Sequence, residues 1–199
     1  MDLFRYYLLI HFAAFIGLAF IFSSYRTWKR TGVFPYKFSN TDSAHDFIGL
    51  VYRIIMVAMA ATMLINALWP GLYEYLAPVR WLEHDYVRAA AVTILIGSLV
   101  FIVVAQVHMS DSWRIGIDTN EKTPLVRRGL FGFSRNPIFV GMRLTLFGFF
   151  LALPNAVTLA TFLTADALIQ VQVRLEEEFL SSSHGEDYAA YCRGVRRWI

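Results

Sequence analysis

Five apolar stretches govern what this chain can fold into: residues 6–25, 48–69, 89–107, 138–153 and 155–173. At about 1.5 Å per residue each reaches across, or nearly across, a hydrocarbon core about 30 Å thick. These spans take about half of the chain and leave no room for a separate soluble catalytic domain, so any chemistry has to use helix ends and short loops. Charged residues make up only 17% of the 199 residues, against about 25% in an ordinary soluble domain. The expected fold is therefore all-α, a polytopic membrane helix bundle of about five transmembrane helices in a single domain over residues 1–199. Three spans lie in residues 1–110, and a helical hairpin with a C-terminal tail occupies residues 125–199. The first stretch differs from a cleavable leader: its apolar run is long, Asp2 and Arg5 precede it, and no small-residue cleavage site follows, so it reads as a retained span.

Lysines and arginines orient the bundle. Arg26, Lys29, Arg30 and Lys37 follow the first span; Arg114, Lys122, Arg127, Arg128 and Arg135 follow the third; Arg174, Arg193, Arg196 and Arg197 follow the fifth. Alternating spans put all of them on one side and leave Arg5, Arg80 and Arg88 on the other. The positive-inside rule then places the amino terminus outside and the carboxyl terminus in the cytoplasm. Pro154 and Asn155 form a tight turn that folds the last two spans into an antiparallel hairpin. The fourth span is about 24 Å long if fully helical, so its start at Pro137 is expected in a recess below the membrane surface. The fifth helix is expected to continue through Leu180 and to break over residues 181–185. A short final helix then shows Tyr188, Tyr191 and Val195 on one face.

Other function classes fit less well. The single cysteine, Cys192, excludes an internal disulfide framework, and no metal-ligand spacing of Cys and His occurs, so no metal is expected. The basic residues flank apolar spans instead of forming a solvated stripe, which argues against nucleic acid as a partner. No internal repeat or pair of broken helices suggests an inverted-repeat transporter.

The densest group of chemically capable residues lies at the mouth of the last hairpin. Hairpin geometry brings Arg135 near the level of Arg174, Glu176 and Glu177, so basic and acidic clusters meet at one end of two packed helices. A pair of interface anchors would account for this as readily as a binding site. Arg143 and Asp166 lie symmetrically about the turn and are expected to face each other, with Arg53 as the other partner open to Asp166. His11 and His108 read as packing residues.

These residues also resemble a known family. Gly129-Leu-Phe131, Arg135-Asn-Pro-Ile-Phe139-Val-Gly141, Glu176-Glu177-Glu-Phe-Leu180, Gly185-Glu-Asp-Tyr188-Ala-Ala-Tyr191 and Val195-Arg-Arg-Trp198 follow in order. Their order and spacing are similar to those of the isoprenylcysteine carboxyl methyltransferases and their phospholipid methyltransferase relatives. Asn136 stands where that pattern usually has His, Phe131 and Phe139 replace Tyr, and Leu130 replaces Pro. The rings persist while the hydroxyls are lost, which preserves stacking better than hydrogen bonding.

The resemblance implies S-adenosylmethionine as methyl donor, held on the cytoplasmic side, and a lipophilic or lipid-modified acceptor, a carboxylate or an amine, reached from the membrane lipid. An Arg-Asn-Pro variant is familiar among small bacterial relatives, so a bacterial inner membrane is the expected location. It also implies that Gly129, Phe131, Arg135, Asn136, Pro137, Phe139 and Gly141 form one wall of the cofactor pocket, with Gly141 permitting close approach. Glu176 and Glu177 form the facing wall, Tyr188 and Tyr191 add to it, and Arg135 or Arg174 pairs with a carboxylate of cofactor or acceptor. Methyl transfer needs orientation and exclusion of water more than acid–base groups, so few titratable residues are expected there. The alternatives are an NADPH-dependent membrane reductase of the sterol-reductase type, and a non-enzymatic membrane scaffold or carrier.

Overall fold

The computed structural model describes residues 3–39, 41–117 and 123–199. Asp2, which entered the reading of the first stretch as a retained span, and Lys122, counted in the charge reading, lie outside the described residues. The described chain is helical, with apolar helices able to span a membrane: α1 Leu3–Thr31, α2 Ala44–Leu68, α3 Asp85–Met109, α4 Pro137–Ala152 and α5 Ala156–His184. A short helix, α6 Glu186–Gly194, follows after Gly185. Four of these are long enough to cross a bilayer outright, and α4, at 16 residues, is the short one.

Every expected span is present, but the helices outrun the apolar runs at their polar ends. The last part of α1, Ser23–Thr31, is amphipathic and ends on Gly32 at φ +73°, the left-handed conformation that glycine adopts without strain. The fifth helix continues through the expected break and stops only at Gly185, also at positive φ. Its start is fixed by a capping box. The Asn155 side chain accepts from the amides of Val157 and Thr158, and Thr158 Oγ1 accepts from the Asn155 amide. Buried at 0% exposure, this cap holds the hairpin turn in a setting where water cannot satisfy the free amides.

One core cluster joins all five spans through Leu8, Ile55, Met59, Leu95, Phe149 and Ala165. The closest pairing is α3 with α4, and its cause is visible in the sequence of α4. Gly141, Thr145 and Gly148 lie on one face; a Cβ at Gly141 would strike Ile102, and one at Gly148 would lie 3.0 Å from Leu95 Cδ2. Thr145 Oγ1 and Ser98 Oγ meet across this seam at 2.8 Å. Small residues of this kind let helix backbones approach where lipid gives no hydrophobic drive to association. Within α1 the turns at Ile16–Phe22 widen to a π-helix, and the Ala19 carbonyl there accepts the Gln106 amide of α3 at 2.7 Å.

The connections segregate to two ends. The loop after α1 pairs with the loop after α3, with Lys37 N donating to Ile115 O and Ile115 N to Pro35 O, both at 2.9 Å. At the other end Val79 N, between α2 and α3, donates to Pro154 O of the hairpin turn at 2.7 Å. The α4 start, the α5 end and α6 therefore share the end that carries the basic loops.

Candidate active site at the hairpin mouth

The entry to α4 is built from a tight turn. Gly129, at φ +61°, lies so close to the His108 ring that a Cβ would overlap it, and Leu130 N donates to His108 Nδ1 at 3.2 Å. Phe131 is buried and its carbonyl accepts the Tyr191 hydroxyl of α6 at 2.6 Å. Burial pushes the Tyr191 phenol up to about 12, so it stays a donor. Asn136 directly precedes α4 without a side-chain capping bond, and Pro137 occupies the first turn, where the missing amide costs nothing.

The centre of the site is the Glu177 carboxylate. Its Oε1 accepts from Arg135 Nε at 3.2 Å, Arg135 Nη2 at 3.1 Å and Asn136 Nδ2 at 3.2 Å. Its Oε2 accepts from Arg197 Nε at 3.0 Å and Nη2 at 2.7 Å. Arg135 and Glu177 are both 12% exposed, whereas Arg197 is 36% exposed. The remaining Arg135 nitrogen, Nη1, donates to Val195 O at 2.8 Å and more weakly to Cys192 O, so one guanidinium joins α4, α5 and the C-terminal end of α6. Two cations surround one anion here, which leaves a net positive local field.

The tail after α6 closes the group. Arg135 N donates to Arg196 O at 2.9 Å, and the Asn136 side chain and Ser134 Oγ both donate to Arg197 O. Tyr188 is buried beside this assembly at 4% exposure. Its hydroxyl makes no hydrogen bond to nitrogen or oxygen among the described residues, the Cys192 thiol lies next to it, and burial raises its pKa.

Glu176 points elsewhere, accepting from Gln172 Nε2 at 2.8 Å. Gln172 is 2% exposed and its Oε1 lacks a hydrogen-bond partner among the described residues. So does the buried hydroxyl of Tyr52 on α2, which lies within electrostatic reach of Glu176. Buried polar groups are rarely left unmet.

Of the expected site residues, Gly129, Phe131, Arg135, Asn136, Pro137, Glu177, Tyr188 and Tyr191 fall in or around one assembly. Phe139 is half-buried on the first turn of α4. Gly141 packs on Ile102, and its close approach is to α3. Arg174 is exposed and donates to Gln170 O on its own helix. Helical side chains lean toward the helix amino terminus, which carries Arg174 away from the mouth. Sequence reasoning missed Ser134, His108 and the Arg197–Glu177 pair. Arg197 stood only as part of a basic end, because nothing in the spacing told that the tail folds back.

The family model for phospholipid methyltransferases matches residues 86–187, from the first turn of α3 into α6. A search of curated proteins finds no match to the chain. The matched region covers more than half of the sequence and contains both halves of the Arg135–Glu177 assembly, so this chain belongs to the phospholipid methyltransferase family.

Proposed function

We propose that the chain is an integral membrane methyltransferase that uses S-adenosylmethionine to methylate a lipophilic acceptor, with its cofactor site at the cytoplasmic end of the α4–α5 hairpin. The observation that carries this reading is the convergence of Arg135 and Asn136, at the entry to α4, on the Glu177 carboxylate of α5 at the bundle end. The donor set suits the cofactor. Glu177 offers a carboxylate for ribose hydroxyls, Arg135 and Arg197 offer guanidinium groups for the methionine carboxylate, and Phe131, Phe139 and Tyr188 offer aromatic surface for adenine. The Tyr188 hydroxyl, with no oxygen or nitrogen partner among the described residues, is a further group for a ligand to satisfy. When bound, the cofactor supplies a methyl group activated by its sulfonium.

The protein's own contribution is positioning. Arg135 fixes Glu177 and the α6 end at once, so the site is organised before any ligand arrives. Arg197 is the most exposed partner of Glu177 and the one a ligand hydroxyl exchanges most readily. Tyr52, Gln172 and Glu176, inside the bundle, mark the acceptor side. Two oxygens with unmet capacity and a carboxylate there suit an N–H donor, which favours an amine over a carboxylate as acceptor. Gly141 acts by seating α4 on α3, and Arg174 has no part in this arrangement.

Titration calorimetry of the purified chain tests the reading. S-adenosylmethionine should bind and NADPH should not, and Glu177→Gln should weaken binding by roughly tenfold or more, a cost of about 1.4 kcal/mol. Binding of NADPH alone would assign the chain to the reductases, and binding of neither would make it a scaffold. Lipid mass spectrometry of cells with and without the chain should reveal the acceptor as a species gaining one CH₂.

A further inference from the structure

Arg143 Nε and Asp166 Oδ1 meet at 2.5 Å between α4 and α5, as their symmetry about the turn predicts, and answer each other's charge. A different polar group stands at the end of the bundle opposite the Arg135–Glu177 assembly, where Val79 of the α2–α3 connection pairs with Pro154. It surrounds a cavity of about 110 Å³ between the start of α1, the end of α2, the start of α3 and residues 151–154. One water needs only about 10–15 Å³ of such space, so the cavity has room for a small solute.

Two buried polar side chains line this cavity with bonding capacity to spare. Asn66 and Tyr73 are each 6% exposed. The Asn66 side chain makes no hydrogen bond among the described residues, and its oxygen and nitrogen are not sealed by protein as the Tyr52 hydroxyl is, so the amide opens on the cavity. Tyr73 accepts from Asn155 Nδ2 at 3.4 Å, while its own proton has no acceptor among the described residues. Burying such groups unmet costs stability. The charged lining is Arg5, Arg80 and Arg88 against Glu74 and Glu83, a net positive charge of one. Arg80 bonds both carboxylates, reaching Glu83 Oε2 at 2.7 Å. Arg88 lies over the Phe4 ring, and its ion-pair partner Asp85 is loose, at 3.8 Å, and wholly exposed. The cavity therefore offers a phenol proton, amide hydrogens and a guanidinium within a positive wall. A carboxylate, whose two oxygens accept about four hydrogen bonds, is the complement of that set.

We propose that this cavity is a binding site for a short-chain carboxylate, whose oxygens take the Asn66 amide, the Tyr73 hydroxyl and the Arg88 guanidinium while its alkyl end rests on Leu151 and Pro154. The site lies at the other end of the bundle from the methyl-transfer site and does not depend on that assignment. Because the occupant bridges α2 and α3, it also stabilises the folded chain.

Saturation-transfer NMR on the detergent-purified full chain tests this with propionate and propylamine, probes alike in size and opposite in charge. Propionate should receive saturation that levels off with concentration, and propylamine none above a protein-free detergent blank. Asn66→Leu keeps the bulk of the side chain and removes its donor; it should weaken propionate binding about tenfold, the scale of one hydrogen bond to a charged group. Arg88→Gln, at a 39% exposed side chain on the rim, should weaken it as well. The melting temperature of wild type should rise with propionate beyond its response to equal sodium chloride. Equal binding of propionate by wild type and both variants overturns the proposal, as does propylamine binding to the same degree. Propionate that never saturates overturns it too and leaves the cavity to water. Displacement of propionate by an equal concentration of inorganic phosphate would make this a general anion site and overturn the carboxylate assignment. Should Asn66→Leu fail to fold, Arg88→Gln decides.

Discussion

Glu177 is the residue on which the mouth of the hairpin depends. It accepts five hydrogen bonds from three residues, and without its charge two guanidinium groups face each other at close range. Glu177→Gln is expected to destabilise the fold by about 2–3 kcal/mol, somewhat below the range for breaking a fully buried pair because the site is partly open. Arg197→Gln should cost only about 1 kcal/mol, since Arg197 is the exposed member. Arg174→Ala should leave thermal stability in detergent and cofactor binding unchanged. An Arg197 variant as damaging as Glu177→Gln would contradict this ranking. The Arg135–Glu177 meeting was readable to within about one helical turn, since Arg135 lies 19 residues before Pro154 and Glu177 lies 23 after it. The third partner was not, because the return of the tail rests on single contacts such as Arg135 N to Arg196 O, which leave no periodic trace.

At the scale of elements the decisive contact is the α3–α4 seam. Its small face places the start of α4, and with it Arg135 and Asn136, against a helix outside the last hairpin. Gly141→Ala drives a Cβ into the Ile102 side chain and is expected to cost about 1–3 kcal/mol through overpacking. Pairing it with Ile102→Ala should recover part of that loss, and thermal melts of the single and double variants measure the coupling. No recovery would mean that Gly141 faces a ligand instead of α3. Sequence alone gives the glycine but not the neighbour that requires it: the same Gly suits a nucleotide and an isoleucine. Helix limits were legible in part. The continuation of α5 through Arg174–Glu178 to Leu180 was expected from the sequence, but the helix runs on through residues 181–184 and ends at Gly185. The Asn155 cap itself was legible only as a turn. Asn155→Ala removes the buried side-chain acceptor of two amides and should lower stability by about 1–2 kcal/mol.

For the whole molecule, function depends on which side of the bilayer the assembly faces. The backbone pairing of Lys37 with Ile115, and of Val79 with Pro154, puts the basic loops together at one end and the hairpin turn at the other, as the alternation of spans requires. Positive charge then orients the bundle: the end with Arg26, Arg30, Arg127 and Arg135 should face the cytoplasm. Two exposed positions report on this. In a Cys192→Ser background, a cysteine replacing Tyr75, which is 85% exposed in the loop after α2, should react with a membrane-impermeant maleimide in intact cells. One replacing Ser39, in the loop after α1, should react only after permeabilisation. The reverse pattern would put Arg135 and Glu177 on the outer face, away from the nucleotide cofactors of the cytoplasm. Because the pairing of the loops ties both reporters to the site, that one reversal would remove the proposed cofactor while leaving the fold and the family intact.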